Sequence, residues 1–215
     1  MSEINTSLFL KNQNLSKFEI TENFSCVRFL DQNKERFELE FNLEKGTSFN
    51  TFFIRSHEEL FIIHPPEKQY LDSFNKVISR FCDQFKLGKI NFISGHINPQ
   101  IIETIKNIST QFQNTTITCS NPGYKLISEL WNQRNPTLKN FIEIQLPEIN
   151  IIKKELNLEL DNISLELIPI PTARWPGGLI IYERNQEILL SEKIFSAHIA
   201  SKYWSETNRV STEID

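Results

Sequence analysis

The chain has 215 residues, of which 39% are hydrophobic, enough for one sizeable core. Its 23 basic and 27 acidic residues leave a net charge of −4, which speaks against nucleic-acid or anionic-membrane partners because no excess of cations exists to neutralise phosphates. Three scattered cysteines, Cys26, Cys82 and Cys119, make neither a CxxC metal pair nor a disulfide framework, and neither a signal peptide nor a run of 18 apolar residues occurs, so a cytoplasmic protein is expected.

The first third reads as a β-meander. Segments Phe18–Leu30, Arg36–Leu43, Ser48–Ile54 and Leu60–His64 are aromatic or β-branched and partly alternating, with polar turn residues between them. After Pro65-Pro66 the period changes. Tyr70, Phe74, Val77, Ile78, Phe81 and Phe85 recur at three and four residues, which predicts one apolar helix face closed by Gly88. Lys89–Ser94 then reads as a buried strand, Pro99–Phe112 as a helix, Thr115–Ser120 as a strand and Pro122–Gln133 as a helix opened by proline. Strands are expected again at Phe141–Leu146, Ile163–Ile168, Leu179–Tyr182 and Ile188–Leu190. A meander followed by alternating strands and helices argues for mixed α/β layers. In such folds ligands gather on the loops that follow strand ends. Three loops qualify: Gly95–Gln100 (GHINPQ), Pro171–Gly178 (PTARWPGG) and Ser191–His198 (SEKIFSAH).

Those loops, with the upstream KGTSFNTFFI, resemble the metallo-β-lactamase-like domain of flavodiiron proteins, over roughly residues 36–200 and in the same order. The likeness is greatest to divergent members from oxygenic photosynthetic organisms that reduce oxygen as paired subunits. The resemblance implies an α/β fold, the αββα sandwich of the metallo-β-lactamase superfamily, incomplete at its C-terminal end. One such domain is expected over residues 1–215, with the flavodoxin-like domain absent from this chain. In the family an His-x-Glu-x-Asp-His loop, an HWPD loop and a DAFG-x-His loop hold two irons, and a flavodoxin-like domain carries FMN.

Carried across, most of those ligands are replaced. The first histidine is His96, but Asn98, Gln100 and Ile101 stand at the Glu, Asp and second His positions. Arg174 replaces the HWPD histidine, and aligning Phe195 and His198 with the third motif puts Lys193 at its aspartate. A diiron pair needs several carboxylates against about four to six positive charges. Arginine stays protonated and a lysine ammonium has no lone pair to give. No diiron site is therefore expected, and a metallohydrolase reading fails for the same reason. His96, Asn98, Gln100, Arg174 and Lys193 form a cationic constellation instead. It either pairs internally with carboxylates such as Glu103 or Glu192, or holds chloride or sulfate.

Other features have plainer readings. His64 reads as a strand-end histidine bonded to backbone, His57 as a solvated turn residue and Trp175 as a loop-packing residue. The cysteines read as buried thiols. The pair Gly177-Gly178 serves a turn, and Ser94-Gly95-His96 lacks the elbow of a serine nucleophile. Two functions follow. The first is an inactive, metal-free subunit working in an oligomer with another flavodiiron subunit, in a family that passes electrons from NAD(P)H through FMN to oxygen. The second is a stand-alone binding module with a small-anion pocket. In either case no cofactor is expected on this chain; FMN and iron are implied only for the full-length family.

Overall fold

Alternation at period two builds most of this molecule. In the computed structural model, residues 14–37, 40–42, 44–132, 144–170, 177–194 and 198–201 are described. The meander comprises β1 (Leu15–Glu19), β2 (Phe24–Asp31), a two-residue ladder of β3 (Arg36–Phe37) with β4 (Glu40–Phe41), β5 (Thr47–Ser56) and β6 (Glu59–Ile63). The segment expected as one strand over Phe18–Leu30 is a hairpin. Thr21 and Phe24 exchange backbone bonds across a tight turn, and β1 folds back on β2.

Helix α1 (Leu71–Phe85) follows a short 3-10 turn at Lys68–Tyr70. Phe74, Val77, Ile78, Phe81 and Cys82 line its buried face, and each such side chain contributes about 1.5–3 kcal/mol when fully buried. The left-handed residue that closes it is Lys86 (φ 54°), not Gly88, and Leu87 N–H bonds back to the Cys82 carbonyl. Then come β7 (Lys89–Ile93), α2 (Pro99–Gln111), β8 (Thr115–Ser120) and α3 (Asn121–Trp131). Both α2 and α3 start with proline in the first turn and a side-chain cap, Asn98 and Ser120 respectively.

The remaining strands are β9 (Glu148–Ile152), β10 (Leu156–Leu160), β11 (Ile163–Pro169), β12 (Leu179–Glu183) and β13 (Ile188–Leu190). Of the strand expected at Phe141–Leu146, residues 144–146 are not in a strand and the rest lies outside the described residues. Seven strands form one mixed sheet in the order β1-β2-β5-β6-β7-β8-β9, parallel from β6 to β9, and β10–β13 form a second, antiparallel sheet. Strand β7 is buried on both faces. Ile90 and Phe92 meet the three helices, whereas Ile93 meets Phe24, Ile54, Leu165, Leu179 and Ile181 between the sheets. The described layers are therefore helix, sheet and sheet. All three cysteines are buried, and burial pushes Cys26 and Cys119 up to about 12. No helix among the described residues is long and apolar enough to cross a membrane.

Candidate functional site

The carboxyl ends of the parallel strands lie along one rim, and glycines bring the later loops onto it. A Cβ on Gly95, just past β7, would lie 2.9 Å from the Leu179 carbonyl oxygen at the start of β12. A Cβ on Gly177 would lie 3.2 Å from Gly123 Cα at the head of α3 and 3.6 Å from Ile97. At Gly95 a side chain would force the backbone apart, and at Gly177 it would be tight. Ser120 Oγ donates to the Gly177 carbonyl (3.1 Å), and Ile170 N–H donates to Gly178 O (3.0 Å), closing the base of the loop between them. Ile170, Gly178 and Leu179 share a cavity of about 10 Å³ with Glu192 and Lys193. Three loops distant in sequence thus converge.

Asn98 organises the polar groups there. Its Oδ1 accepts the Ile101 N–H (2.9 Å) as the cap of α2, which turns its amide nitrogen the other way. Nδ2 donates to Glu67 Oε1 (3.3 Å) and lies 3.1 Å from His96 Nε2. Lys193 Nζ lies 2.9 Å from that same Nε2. An ammonium and an amide NH₂ only donate, so His96 Nε2 is the acceptor and the partners assign its tautomer. Glu67 is 9% exposed, and its other oxygen takes the Lys34 ammonium at 3.0 Å. The chain Lys34–Glu67–Asn98–His96–Lys193 links the β6, β7 and β13 loops. Glu67 was absent from the sequence-based set; its one trace there is the polar residue closing HPPE directly after a strand.

Beneath lies His64, with a left-handed backbone (φ 57°). Its N–H bonds the Ile93 carbonyl and its carbonyl accepts from Thr51 Oγ1 (2.9 Å), but neither ring nitrogen has a hydrogen-bond partner. The expected strand-end histidine bonded to backbone is so bonded through its main chain, while the imidazole has no hydrogen-bond partner. The ring stands edge-on to Phe52 at 6.5 Å. Burial, and secondarily the field of His96, push its pKa down to about 3, so it is neutral. Glu192, which accepts the Lys193 N–H (2.7 Å), also has a left-handed backbone. Sparsely populated conformations cost of order 1–3 kcal/mol each and concentrate at functional sites.

Of the five candidate residues, the structure brings His96, Asn98 and Lys193 together. Gln100 is exposed on the first turn of α2, and Arg174, like Trp175 and Phe195, lies outside the described residues. Glu103 pairs with Lys68 on the surface instead of with the site cations. His198 bonds Thr47 Oγ1 (3.0 Å), and His57 is a solvated turn residue paired with Asp161. The donor set does not fit a diiron centre. The nitrogen that would coordinate, His96 Nε2, faces an ammonium, and the neighbouring motif positions carry amides. Among the described residues no group of three His, Cys, Asp or Glu could hold a metal ion.

Comparison with known proteins locates the same architecture elsewhere. The family model described as ODP family beta lactamase matches residues 47–214. Putative diflavin flavoprotein A 3 of Synechocystis is 30% identical over 76% of this chain and 26% of its own length. Putative diflavin flavoprotein A 6 of Nostoc is 30% identical over 88% and 31%. Among solved structures, the metal-soaked Flv1 flavodiiron core from Synechocystis superposes with a TM-score of 0.75 at 27% identity, covering 87% of this chain and 44% of that one. A fragment of diflavin flavoprotein A 5 from Nostoc gives 0.72 at 28%, covering 87% and 69%. The chain spans about a quarter to a third of the length of these curated relatives.

Proposed function

The chain belongs to the ODP-family β-lactamase domains of flavodiiron proteins, and on that premise we propose that it is a scaffold whose diiron centre has been replaced by an internal network of side chains. In this reading the domain binds neither iron nor FMN and does not reduce oxygen by itself. It serves as a subunit beside another flavodiiron subunit, within an assembly that carries electrons from NAD(P)H through FMN to oxygen and forms water in photoprotection. The supporting observation is the contact between Lys193 Nζ and His96 Nε2 at 2.9 Å. A fixed monovalent cation joins the β13 loop to the β7 loop, as a shared metal would. Arg174, at the neighbouring motif position, completes the inversion of charge in this proposal.

The small-anion module has less support, because Lys193 is turned to an imidazole and Gln100 to solvent. Elemental analysis after expression with added iron, and purification without chelator, tests the reading. Near-zero iron, zinc and manganese per chain is the expected result. About two irons per chain, the content of a two-metal site, would overturn it and make a working oxygen-reducing centre the better account.

A further inference from the structure

We propose that β10 is a self-pairing edge, through which two copies of this chain join their second sheets about a two-fold axis at Leu158. The strand (LNLEL) ends the order β10-β11-β12-β13, and among the described residues no strand bonds its outer edge. A row of unpaired N–H and C=O groups is a template for another strand unless something blunts it. Two other edges are blunted. Strand β1 turns Lys17 inward, its ammonium over the Phe81 ring, and β13 has only three residues. Strand β10 contains no lysine, proline or glycine, and its register with β11 runs without a bulge.

Burial along the strand shows where cover is missing. Leu156, Leu158 and Leu160 share the core-facing side, opposite Leu167, Leu165 and Ile163. Exposure nevertheless rises from 4% at Leu160 to 42% at Leu156.

Charge and side-chain alternation select one register. A slip of one residue would set core-facing against solvent-facing positions. Antiparallel self-pairing about Asn157 sets Glu155 against Glu159, and pairing about Glu159 sets that carboxylate against itself. Pairing about Leu158 sets Leu156 against Leu160 and Asn157 against Glu159 of the second copy. It covers Leu156 and offers an amide donor to the Glu159 carboxylate, one oxygen of which already takes the Ser164 hydroxyl at 2.8 Å.

The flanks of the strand agree with this register. The turn at Asp161-Asn162 of one copy comes beside Lys153, Lys154 and Glu155 of the other. Those three residues, with Ile168 and Pro169, line a depression of about 490 Å³ at the start of β10. Two ammonium groups thus border the place where an acidic turn arrives, and they offset the single Glu155 that faces Asp161. A two-fold contact closes on itself, so assembly stops at two copies. An edge of five residues is a small interface, which implies a reversible dimer. The inference does not rest on the metal-free subunit reading, whose own test is metal content.

Sedimentation velocity of the intact chain from about 10 µM to 1 mM, the range of a weak association, should show a monomer–dimer equilibrium. Asn157→Glu sets carboxylates opposite each other at two symmetric places and should raise the dissociation constant about three- to thirtyfold. Asn157→Lys sets an ammonium opposite Glu159 and should lower the constant by a similar factor. Residue 157 is exposed, so both variants keep the fold. Register is read by mild oxidation. Leu158→Cys faces itself and should link dimers, whereas Leu156→Cys, which faces Leu160, should not; the native cysteines are all buried. Monomer at every concentration, species larger than a dimer, or equal constants in the two Asn157 variants would overturn the proposal. Linkage through Leu156→Cys would reject the register, and should Leu158→Cys not fold, the opposite signs of the Asn157 pair decide.

Discussion

The two ends of the parallel strands solve opposite problems with the same kinds of residue. At the amino end, strand register pairs a set of polar side chains. Lys89 and Asn91 bond the two oxygens of Glu59 (3.1 and 2.7 Å), and Thr116 Oγ1 bonds Asn91 Oδ1 (2.6 Å). The partners follow from strand register, in which Glu59 faces Lys89 and Asn91 faces Thr116. At the same end Glu183, fully buried, accepts the N–H groups of Ser164, Asn185 and Gln186 and so closes the β12–β13 hairpin. At the carboxyl end the buried His64 imidazole has no hydrogen-bond partner; left-handed backbones occur at both ends, at His64 and Glu192 here and at His57, Lys86, Asp161 and Glu187 in the turns of the amino end. The first end is built for stability. The second keeps a buried imidazole without a partner, a cost of the kind expected at a rim shaped by ligand chemistry and then refilled.

The largest test of this contrast is acid. His64 has a folded pKa of about 3 against about 6.5 when unfolded. The unfolded chain therefore binds the extra proton first, and the stability linked to this group falls as pH drops from about 6.5 toward 3. His64→Leu removes that linkage. The gap between variant and wild type should widen by about 1.4 kcal/mol per pH unit below 6, read from urea melts at several pH values. A constant gap would show that His64 is not buried neutral. The next effect belongs to the opposite end and has the opposite sign. Glu183→Ala leaves three N–H groups without their acceptor and should cost about 3 kcal/mol at pH 7; a loss under about 1 kcal/mol would mean that water replaces the carboxylate. The smallest is His57→Ala. Its ion pair with Asp161 is 80% exposed on the histidine side, so its removal should stay within about 0.5 kcal/mol. A larger loss would show that this surface contact clamps the β5–β6 turn to the second sheet.

Much of the fold is legible in residues that answer to one local rule. The three- and four-residue recurrence of Phe74, Val77, Ile78 and Phe81 marks α1, and Thr115–Ser120 is a strand with the bounds its composition predicts. The failures have a physical origin as well. Lys86 takes the left-handed position without being glycine, because the helix closure that bonds Leu87 to Cys82 offsets the strain. Strands β9 and β10 escape because their residues are largely exposed: four of five in β10 are not buried, and Lys153, Lys154 and Glu155 between them read as loop. At the site, His96, Asn98 and Lys193 are found through motif order. Glu67 is not, since its relation to Asn98, 31 residues away, arises only when β6 and β7 pair.

The glycine contacts at the rim carry a consequence for how such a domain changes over generations. Gly95 stands against Leu179 with no room for a side chain between them, and Gly177 packs tightly on Gly123. The bases of these loops are thus set by backbone contacts and not by the side chains further along. A lineage can therefore exchange histidine and carboxylate for amide and amine one position at a time without passing through a collapsed intermediate. The inherited shape outlives the chemistry for which it was first selected.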